Sequence, residues 1–429
     1  MSLRFIECLV LKHLSIYFGL PRTAYILALC RVISGSGNFI FPFLTLLLTQ
    51  KVGMSATQTG LIIFLSSLAY VPGSLIGGKL ADKFGRKPVM VTAELLVAAS
   101  WISCGFFPHS FWIVPFISFS YFALGALEPV QGAVAADIST PENRKAIYSL
   151  GYLGWNIGFA IGPLVAGLLF ENYAHWMFWG DGIAILVAVV LVVLWIPESR
   201  PKHQDEAHTD LESAKAGTVW PIIWARPHLM LFTLAGVFST LVYAQIGFSL
   251  PLQMQEVFGS EGSKFYGQLM GFTGLTVVLF TAPMVALTKS LKPIVIIAMG
   301  MILFALGFAP LGMVQWLPWF FMAAFVFTLG EILEATNRGV YIANHSPMSH
   351  RARINSIVPL IIGVGHAFAP LITGPFIDNY GVSNVWPIAG CFSIISFCLL
   401  LLLVWREDHW VDRLRRNQGE TESEPEPSK

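Results

Sequence analysis

The chain has 429 residues, of which 55% are hydrophobic and only 12% are charged, and its mean hydropathy is +0.67. A soluble domain carries about twice that share of charged residues, so the composition excludes an ordinary soluble protein and predicts a polytopic protein of the lipid bilayer. The formal net charge of +1 gives no indication of a nucleic-acid partner, and the five cysteines lack the paired spacing of a disulfide framework or a metal site.

A helix needs about 20 apolar residues to cross the hydrocarbon core. Twelve such runs occur, and a polar stretch, 198–220, separates the sixth from the seventh. The sequence therefore predicts an all-α membrane protein with two six-helix halves, 1–197 and 221–408, joined by a cytoplasmic linker. The acidic tail, 409–429, is predicted to be disordered. The runs are 23–49, 57–78, 89–107, 111–136, 146–170, 174–196, 229–253, 266–287, 293–314, 317–343, 354–376 and 384–405.

The most informative stretch joins the second run to the third and reads GGKLADKFGRKP, residues 77–88. Its cations indicate a cytoplasmic loop, and its glycines permit a close helix approach and a tight reversal. A simple positive stop between membrane helices would need the cations but not the glycine and aspartate at these spacings. The stretch, which we call the signature loop, resembles the loop G-x-x-x-D-[RK]-x-G-[RK]-[RK] between helices 2 and 3 of the major facilitator superfamily. The matching positions are Gly78, Asp82, Lys83, Gly85, Arg86 and Lys87.

The distribution of lysine and arginine predicts the orientation. If both termini are cytoplasmic, the external loops contain only Lys51 and Lys264, while Arg31 and Arg338 fall inside apolar runs. The opposite topology would invert this bias, so both termini are predicted to be cytoplasmic.

One pattern of small residues and proline occurs in both halves, 207 residues apart at each of its four positions. Such a repeat predicts a pseudo-two-fold axis along the membrane normal, with a site near mid-membrane between the halves. The copy in run five resembles the helix-5 motif of antiporters in this superfamily, which favours export, although small residues that let helices five and eight pack would give the same pattern. The copies are Gly158, Gly162, Pro163 and Gly167, and Gly365, Ala369, Pro370 and Gly374.

Two further segments, 141–145 and 328–333, resemble a branch of bacterial multidrug proton antiporters within the superfamily. In that branch a glutamate of helix 10 within Leu-Gly-Glu takes part in proton coupling, and it corresponds to Glu331. Gly247 stands where the type member has an aspartate, which leaves open the proton count and the preference for cationic drugs. The resemblance implies a monomer in the bacterial inner membrane that acts on protons and a small molecule. Besides the signature loop, the gating residues it implies are Asp137 and Arg144.

Ionisable residues inside the runs are candidates for function, because a charge at the bilayer centre costs about 2.5–3.5 kcal/mol on insertion scales. Glu331, Glu334 and Arg338 of run ten fall on one narrow helical face. Glu334 and Arg338 are four residues apart and can pair. Glu331 then has no obvious cation, and since desolvation favours the neutral form of a carboxyl, it is the predicted proton carrier. Glu334 and Glu128 are the further candidates for that role.

Run one presents Arg31 and Asn38 on one face, and run four contains Glu128. Helices 1, 4, 7 and 10 line the central cavity in the fold that this chain resembles, so three of those four would present charge to it. Arg31 and Glu128 lie about 12 and 13 Å from the cytoplasmic ends of their helices by the helical rise, so a pair between them is geometrically reasonable. The alternative is that all of these charges form structural ion pairs.

The remaining polar residues of the runs divide into two groups. Glu94 is interpreted as snorkelling, His366 as a packing histidine and Asp181 as interfacial. Five other side chains could add aromatic and hydrogen-bonding surface to the cavity or could simply pack. They are Tyr152, Trp155, Asn156, Tyr243 and Gln245.

The leading hypothesis is a proton-coupled antiporter that exports amphipathic small molecules or drugs by alternating access. The alternative is a proton symporter that takes up a small anionic metabolite or peptide, because buried Arg31 would suit a carboxylate. The sequence has no nucleotide-binding loop and no catalytic motif, so no enzyme activity, cofactor or metal is expected.

Overall fold

The computed structural model describes residues 17–140, 142–198, 227–346 and 351–421. Within these ranges there is no strand, and twelve helices run back and forth through the molecule. Eleven segments are long and apolar enough to cross a membrane, and one of them, Pro227–Thr288, has 62 residues and contains two helices in succession. The prediction of an all-α membrane protein with twelve crossing helices is confirmed. The helices are α1 (Arg22–Lys51), α2 (Ala56–Phe84), α3 (Arg86–Gly105), α4 (Ile113–Asp137), α5 (Arg144–Leu169), α6 (Ala174–Trp195), α7 (227–258), α8 (Gly262–Thr288), α9 (Pro293–Phe308), α10 (Leu317–His345), α11 (Arg351–Tyr380) and α12 (Val385–Thr421).

The C-terminal boundary differs from the prediction, since α12 continues to Thr421. Residues 406–418 contain strong helix formers and neither proline nor glycine, so nothing in this stretch ends the helix where the apolar run stops. The predicted linker, apart from its first residue, and the end of the tail lie outside the described residues.

Helix α1 is interrupted, which the hydropathy pattern does not reveal. It is helical over Arg22–Ser36 and again over Ile40–Leu46. Backbone amides released inside a membrane protein need a partner, and the side chain of Asp181 on α6 accepts the Ile40 N–H at 3.4 Å. Asp181 is 5% exposed, so the interpretation of this residue as interfacial is wrong.

The two halves touch at the end of the bundle remote from the signature loop. Helices α2 and α11, α5 and α8, and the second parts of α1 and α7 form the contacts. The Phe64 and Phe368 rings, for example, pack with centroids 4.7 Å apart. At the other end, Leu75 and Phe84 are exposed. We call these the closed end and the open end.

The glycines of the helix-5 motif allow two different approaches. A Cβ added at Gly158 would lie 2.7 Å from the Ser36 nitrogen and 2.8 Å from the Gly35 Cα, both on α1. A Cβ at Gly162 would also meet α1, at the Gly35 oxygen, whereas one at Gly167 would lie 3.1 Å from the Gly267 Cα on α8. The motif therefore packs α5 inside its own half as well as against the other half.

Replacing Gly158 by valine should destabilise the fold, because overpacking a close contact costs about 1–3 kcal/mol. Gly151→Val is the matched control, since it lies on the same helix and a Cβ there has no neighbour within 4 Å. We expect thermal unfolding in detergent to occur at a clearly lower temperature for Gly158→Val. Equal shifts in the two variants would show that helix propensity, and not the contact with α1, sets the cost.

Candidate functional site

Two adjoining cavities occupy the interior. The central cavity lies between the halves and has a volume of about 770 Å³, and the N-terminal cavity lies within the first half and has a volume of about 590 Å³. Both volumes are in the range of sites for drug-sized ligands. The residues that line both cavities, and so join them, are Asn38, Phe41, Tyr70, Tyr152 and Trp155.

The central cavity brings together residues that the sequence placed on four different helices. Glu331 of α10 lies in its lining, where the Tyr243 hydroxyl of α7 donates a hydrogen bond to Glu331 Oε1 at 2.9 Å. Among the described residues, no lysine, arginine or histidine nitrogen lies within 4 Å of this carboxylate. The other predicted residues in this lining are Asn38, Tyr152, Trp155 and Asn156.

His366 was interpreted as a packing histidine, but it also faces the central cavity. Its side chain lines the cavity, and its ring centroid lies 6.4 Å from that of Tyr243. Most of the remaining lining is apolar. Its phenylalanines are Phe41, Phe159, Phe248, Phe327 and Phe368. A largely aromatic cavity with a few convergent polar groups suits an amphipathic molecule.

Three residues predicted at the cavity lie elsewhere. Glu334 is 5% exposed, pairs with Arg338 Nη2 at 2.5 Å and accepts a hydrogen bond from Ser239 Oγ of α7 at 2.8 Å. The polar face of α10 is therefore divided between the cavity and the contact with α7. Gln245 is buried and donates to Thr373 Oγ1 of α11 at 3.1 Å. It follows the interruption of α7 at Ala244, which the helical phase could not anticipate.

Arg31 and Glu128 line the N-terminal cavity, but they do not form the direct pair that their depths suggested. The Glu128 carboxylate instead accepts a hydrogen bond from the Tyr70 hydroxyl of α2. Arg31 interacts electrostatically with both Glu128 and Glu94, and no ion pair within 4 Å joins it to either. Glu94 is 3% exposed inside the packing of α3 against α4 and α6, so the interpretation of a snorkelling side chain is wrong.

The signature loop forms a charged cluster at the open end. Arg86 Nη1 lies 2.5 Å from Asp82 Oδ1, and Arg86 Nε lies 3.4 Å from Asp137 Oδ2 at the end of α4. The carboxylate of Asp82 is nevertheless 72% exposed. Gly85 makes the reversal between α2 and α3 at φ +102°, a conformation that favours glycine. Arg86 thus ties three helix ends of the first half together.

The other predicted gating residues lie around this cluster and make local contacts. Lys87 Nζ donates to the Val193 oxygen at 2.8 Å, and Arg144 Nε donates to Ser139 Oγ at 3.0 Å. The ammonium of Lys83 lies 5.2 Å from the Phe84 ring centroid. A Cβ at Gly78 would meet no atom within 4 Å, so this glycine makes no close approach in this structure.

Glu198 completes the signature loop and was not identified from the sequence. Its carboxylate accepts the backbone N–H groups of Arg86 at 2.7 Å and of Lys87 at 3.2 Å. A carboxylate is stabilised at a helix N-terminus, where amides lack intrahelical partners. The only sequence signal was that the predicted linker begins with an acidic residue, where a solvated charge is the ordinary interpretation.

A second carboxylate caps a helix across the two halves at the closed end. Asp378 of α11 accepts the N–H groups of Ala56 at 3.1 Å and Thr57 at 2.8 Å, and the Thr57 hydroxyl at 2.5 Å. We call this contact the outer latch. Two hydroxyls add further bonds between the halves, from Thr45 to the Gly247 oxygen at 2.8 Å and from Tyr266 to the Pro42 oxygen at 3.1 Å.

Removing the Asp378 carboxylate should loosen the closed end, because losing a helix cap costs about 1 kcal/mol or more. We expect Asp378→Ala to speed hydrogen–deuterium exchange of the first amides of α2 by about tenfold. Asn379→Ala is the matched control, since the Asn379 side chain bonds only to the Pro375 oxygen of its own helix. Equal exchange at the start of α2 in both variants would contradict the outer latch.

Comparison with known proteins assigns the chain to one family. The Major Facilitator Superfamily model matches residues 27–337. The chain is 25% identical over 389 residues to a Na(+), Li(+), K(+)/H(+) antiporter of Planococcus maritimus, covering 83% of this chain and 89% of that protein. It is 23% identical over 374 residues to multidrug resistance protein MdtH of Salmonella typhi, covering 86% and 90%.

Solved structures share the fold at lower identity. The nucleoside transporter NupG is similar with a TM-score of 0.73 and 13% identity, over 90% of this chain and 99% of that one. An auto-inhibited peptide transporter of the POT family is similar with a TM-score of 0.74 and 15% identity, over 90% and 97%. At such identities the likeness shows the fold alone.

Proposed function

The chain belongs to the major facilitator superfamily of membrane transporters, and from that premise we propose that it is a proton-coupled antiporter that exports amphipathic small molecules. The observation that carries the proposal is the environment of Glu331. This carboxylate lies in an apolar, aromatic cavity between the halves, with a tyrosine hydroxyl as its hydrogen-bond partner and no cation within 4 Å among the described residues. An ionisable group placed in that way inside a membrane protein is a candidate for proton transfer.

The positive charge of the signature loop decides which end of the molecule we place in the cytoplasm. The signature loop lies at the open end and is rich in lysine and arginine, so we place that end, and both termini, in the cytoplasm of a bacterial cell. The structure then corresponds to an inward-open state of a monomer in the plasma membrane, with the outer latch closed. Alternating access would open the outer latch and close the halves around the signature loop.

Glu331 couples the two fluxes in this proposal because it can hold either a proton or the cargo. In the inward-open state it releases its proton to the cytoplasm, and an amphipathic molecule then enters the central cavity and packs on the phenylalanines. Neutralising the carboxylate, either with a proton or with a positively charged group of the cargo, lowers the cost of moving it through the closed states. The exposed carboxylate of Asp82 is available to contact the other half when the inner end closes.

The similar proteins and the charges of the N-terminal cavity favour export over uptake. The similar Planococcus protein is a cation/H(+) antiporter and MdtH is a multidrug resistance protein, and both support a proposal of exchange and drug export. Uptake of a small anion with protons is the second candidate, because Arg31 lies in a cavity. Two carboxylates, Glu94 and Glu128, face that guanidinium and oppose an anionic ligand, so export remains the leading proposal.

Everted membrane vesicles test the direction. An imposed proton gradient, acidic inside, is expected to drive accumulation of an amphipathic dye, and a protonophore should abolish it. Uptake into right-side-out vesicles that is driven by an inward proton gradient would replace export by symport.

Glu331→Gln mimics the protonated carboxyl without a large change in volume. We expect it to abolish gradient-driven flux while dye binding remains measurable and becomes less dependent on pH. Normal flux in this variant would make Glu331 a packing residue and would leave the coupling role to another carboxylate.

Glu334→Gln is the matched control on the same helix. It leaves Arg338 without a charged partner. Because the Arg338 side chain is 28% exposed, the cost is smaller than the roughly 3–5 kcal/mol of a fully buried pair, but this variant should still show first as poor expression and a lower unfolding temperature. If both variants lost coupling to the same extent and were equally stable, Glu331 could not be distinguished as the proton carrier from Glu334 as part of a structural pair.

A further inference from the structure

The internal repeat continues past the helix-5 motif to the ends of α5 and α11 at the closed end. Residues 171–173 read ENY, and residues 378–380, which lie 207 residues later, read DNY. Glu171 is therefore the repeat equivalent of Asp378, the carboxylate of the outer latch. Because the repeat pairs α2 with α8, we expect Glu171 to reach the start of α8 as Asp378 reaches the start of α2.

The helix crossings next to these two carboxylates have the same close contact. A Cβ added at Gly60 of α2 would lie 2.1 Å from the Pro370 oxygen of α11, and one added at Gly267 of α8 would lie 2.3 Å from the Pro163 oxygen of α5. The two glycines are 207 residues apart, and so are the two prolines. The contact of α2 with α11 and that of α5 with α8 are thus equivalent in structure as well as in sequence.

Glu171 does contact the other half. Its Oε1 accepts a hydrogen bond at 3.1 Å from the hydroxyl of Ser263, which is fully buried in the first turn of α8. Its Oε2 lies 3.6 Å from Lys51 Nζ at the end of α1, and the same ammonium donates to the Glu171 backbone oxygen at 3.0 Å. The Lys51 side chain is 13% exposed and lies over the Phe170 ring, 4.6 Å from its centroid. Lys51 is therefore fixed against the end of α5.

The two contacts differ in what remains if the halves separate at this end. Asp378 accepts three hydrogen bonds from the first residues of α2, all across the halves. No lysine, arginine or histidine nitrogen of the described residues lies within 4 Å of its carboxylate. Glu171 accepts one bond across the halves and keeps Lys51 in its own half. Separation therefore costs more at Asp378 than at Glu171.

We propose that two latches of unequal strength, related by the internal repeat, hold the closed end. The stronger is the outer latch at Asp378, and the weaker, which we call the second latch, consists of Lys51, Glu171 and Ser263. Lys51 is a positioning residue that holds the Glu171 carboxylate toward Ser263. The inference rests on the proposed function only in that the closed end has to open. It requires no proton, cargo or direction of transport.

A buried thiol at a third place measures how often the closed end opens. Thr45 is 1% exposed and bonds across the halves where α1 meets α7, so Thr45→Cys places a sulfur away from both latches. The full-length protein, with its five native cysteines replaced by alanine, is purified in detergent and labelled with a bulky thiol reagent. No cargo or gradient is present. The labelling rate follows the open fraction when the closed end opens rarely and recloses quickly.

The expected effects rank the two latches. Glu171→Ala and Ser263→Ala should each raise the labelling rate about threefold, the size of one partly exposed hydrogen bond, and Asp378→Ala about tenfold. Asp378→Ala combined with Glu171→Ala should multiply the two factors, because both latches hold one closure. Asn172→Ala and Asn379→Ala are matched controls, related by the same repeat, and should leave the rate unchanged.

Three results would overturn the proposal. The first is an unchanged rate in both Glu171→Ala and Ser263→Ala. The second is a larger effect of Glu171→Ala than of Asp378→Ala. The third is a double variant that is labelled no faster than Asp378→Ala alone. Ser263→Ala removes a single oxygen, so it keeps the test decisive if Glu171→Ala fails to fold.

Two double-mutant cycles separate the second latch from a general loosening of the fold. Ser263→Ala should have no further effect in Glu171→Ala, because the bond between them is lost only once. Effects that multiply in this double variant would overturn the second latch. Lys51→Met keeps an unbranched side chain over Phe170 but removes the charge, and it should raise the rate only while Glu171 is present. An equal effect with and without Glu171 would contradict the positioning role of Lys51.

Discussion

A carboxylate inside a membrane protein has to be matched by a proton, a cation or hydrogen-bond donors, and this constraint organises the interior of the molecule. Glu334 contacts both a cation and a hydroxyl, because Arg338 and Ser239 donate to its Oε1. Glu331 has the Tyr243 hydroxyl, and Glu94 leaves one buried oxygen without a partner. Glu334 lies between helices, whereas Glu331 and Glu94 belong to the linings of cavities. The three carboxylates therefore differ in the partners that they contact.

The same constraint explains how the helices are held. Three carboxylates accept backbone N–H groups where helices begin: Asp181 at the second part of α1, Glu198 at α3 and Asp378 at α2. The first two act within the first half and remain in place if the halves move as rigid units. Asp378 reaches across the halves, so its bonds have to break if the closed end opens. A contact of this kind stabilises one conformation at the expense of the other.

The sequence predicted the features that depend on local pattern. Helix number followed from the length of the apolar runs, the reversal at Gly85 from the signature loop, and the Glu334–Arg338 pair from a spacing of four. It could not predict features that depend on how helices rotate against each other. The helical rise gave similar depths for Arg31 and Glu128, but depth does not determine whether two side chains meet, and Tyr70 took that place. The interruptions of α1 and α7 changed the surroundings of Asp181 and Gln245, which hydropathy does not detect.

In the proposed mechanism, cargo and protons compete for cavity carboxylates. The most direct test is proton release on binding, measured with a pH indicator when tetraphenylphosphonium is added to purified protein in weakly buffered solution near neutral pH. Competition predicts that binding of the cation releases protons, and that acidification of the solution weakens its affinity. Saturable binding with no proton release and no dependence on pH would contradict the claim.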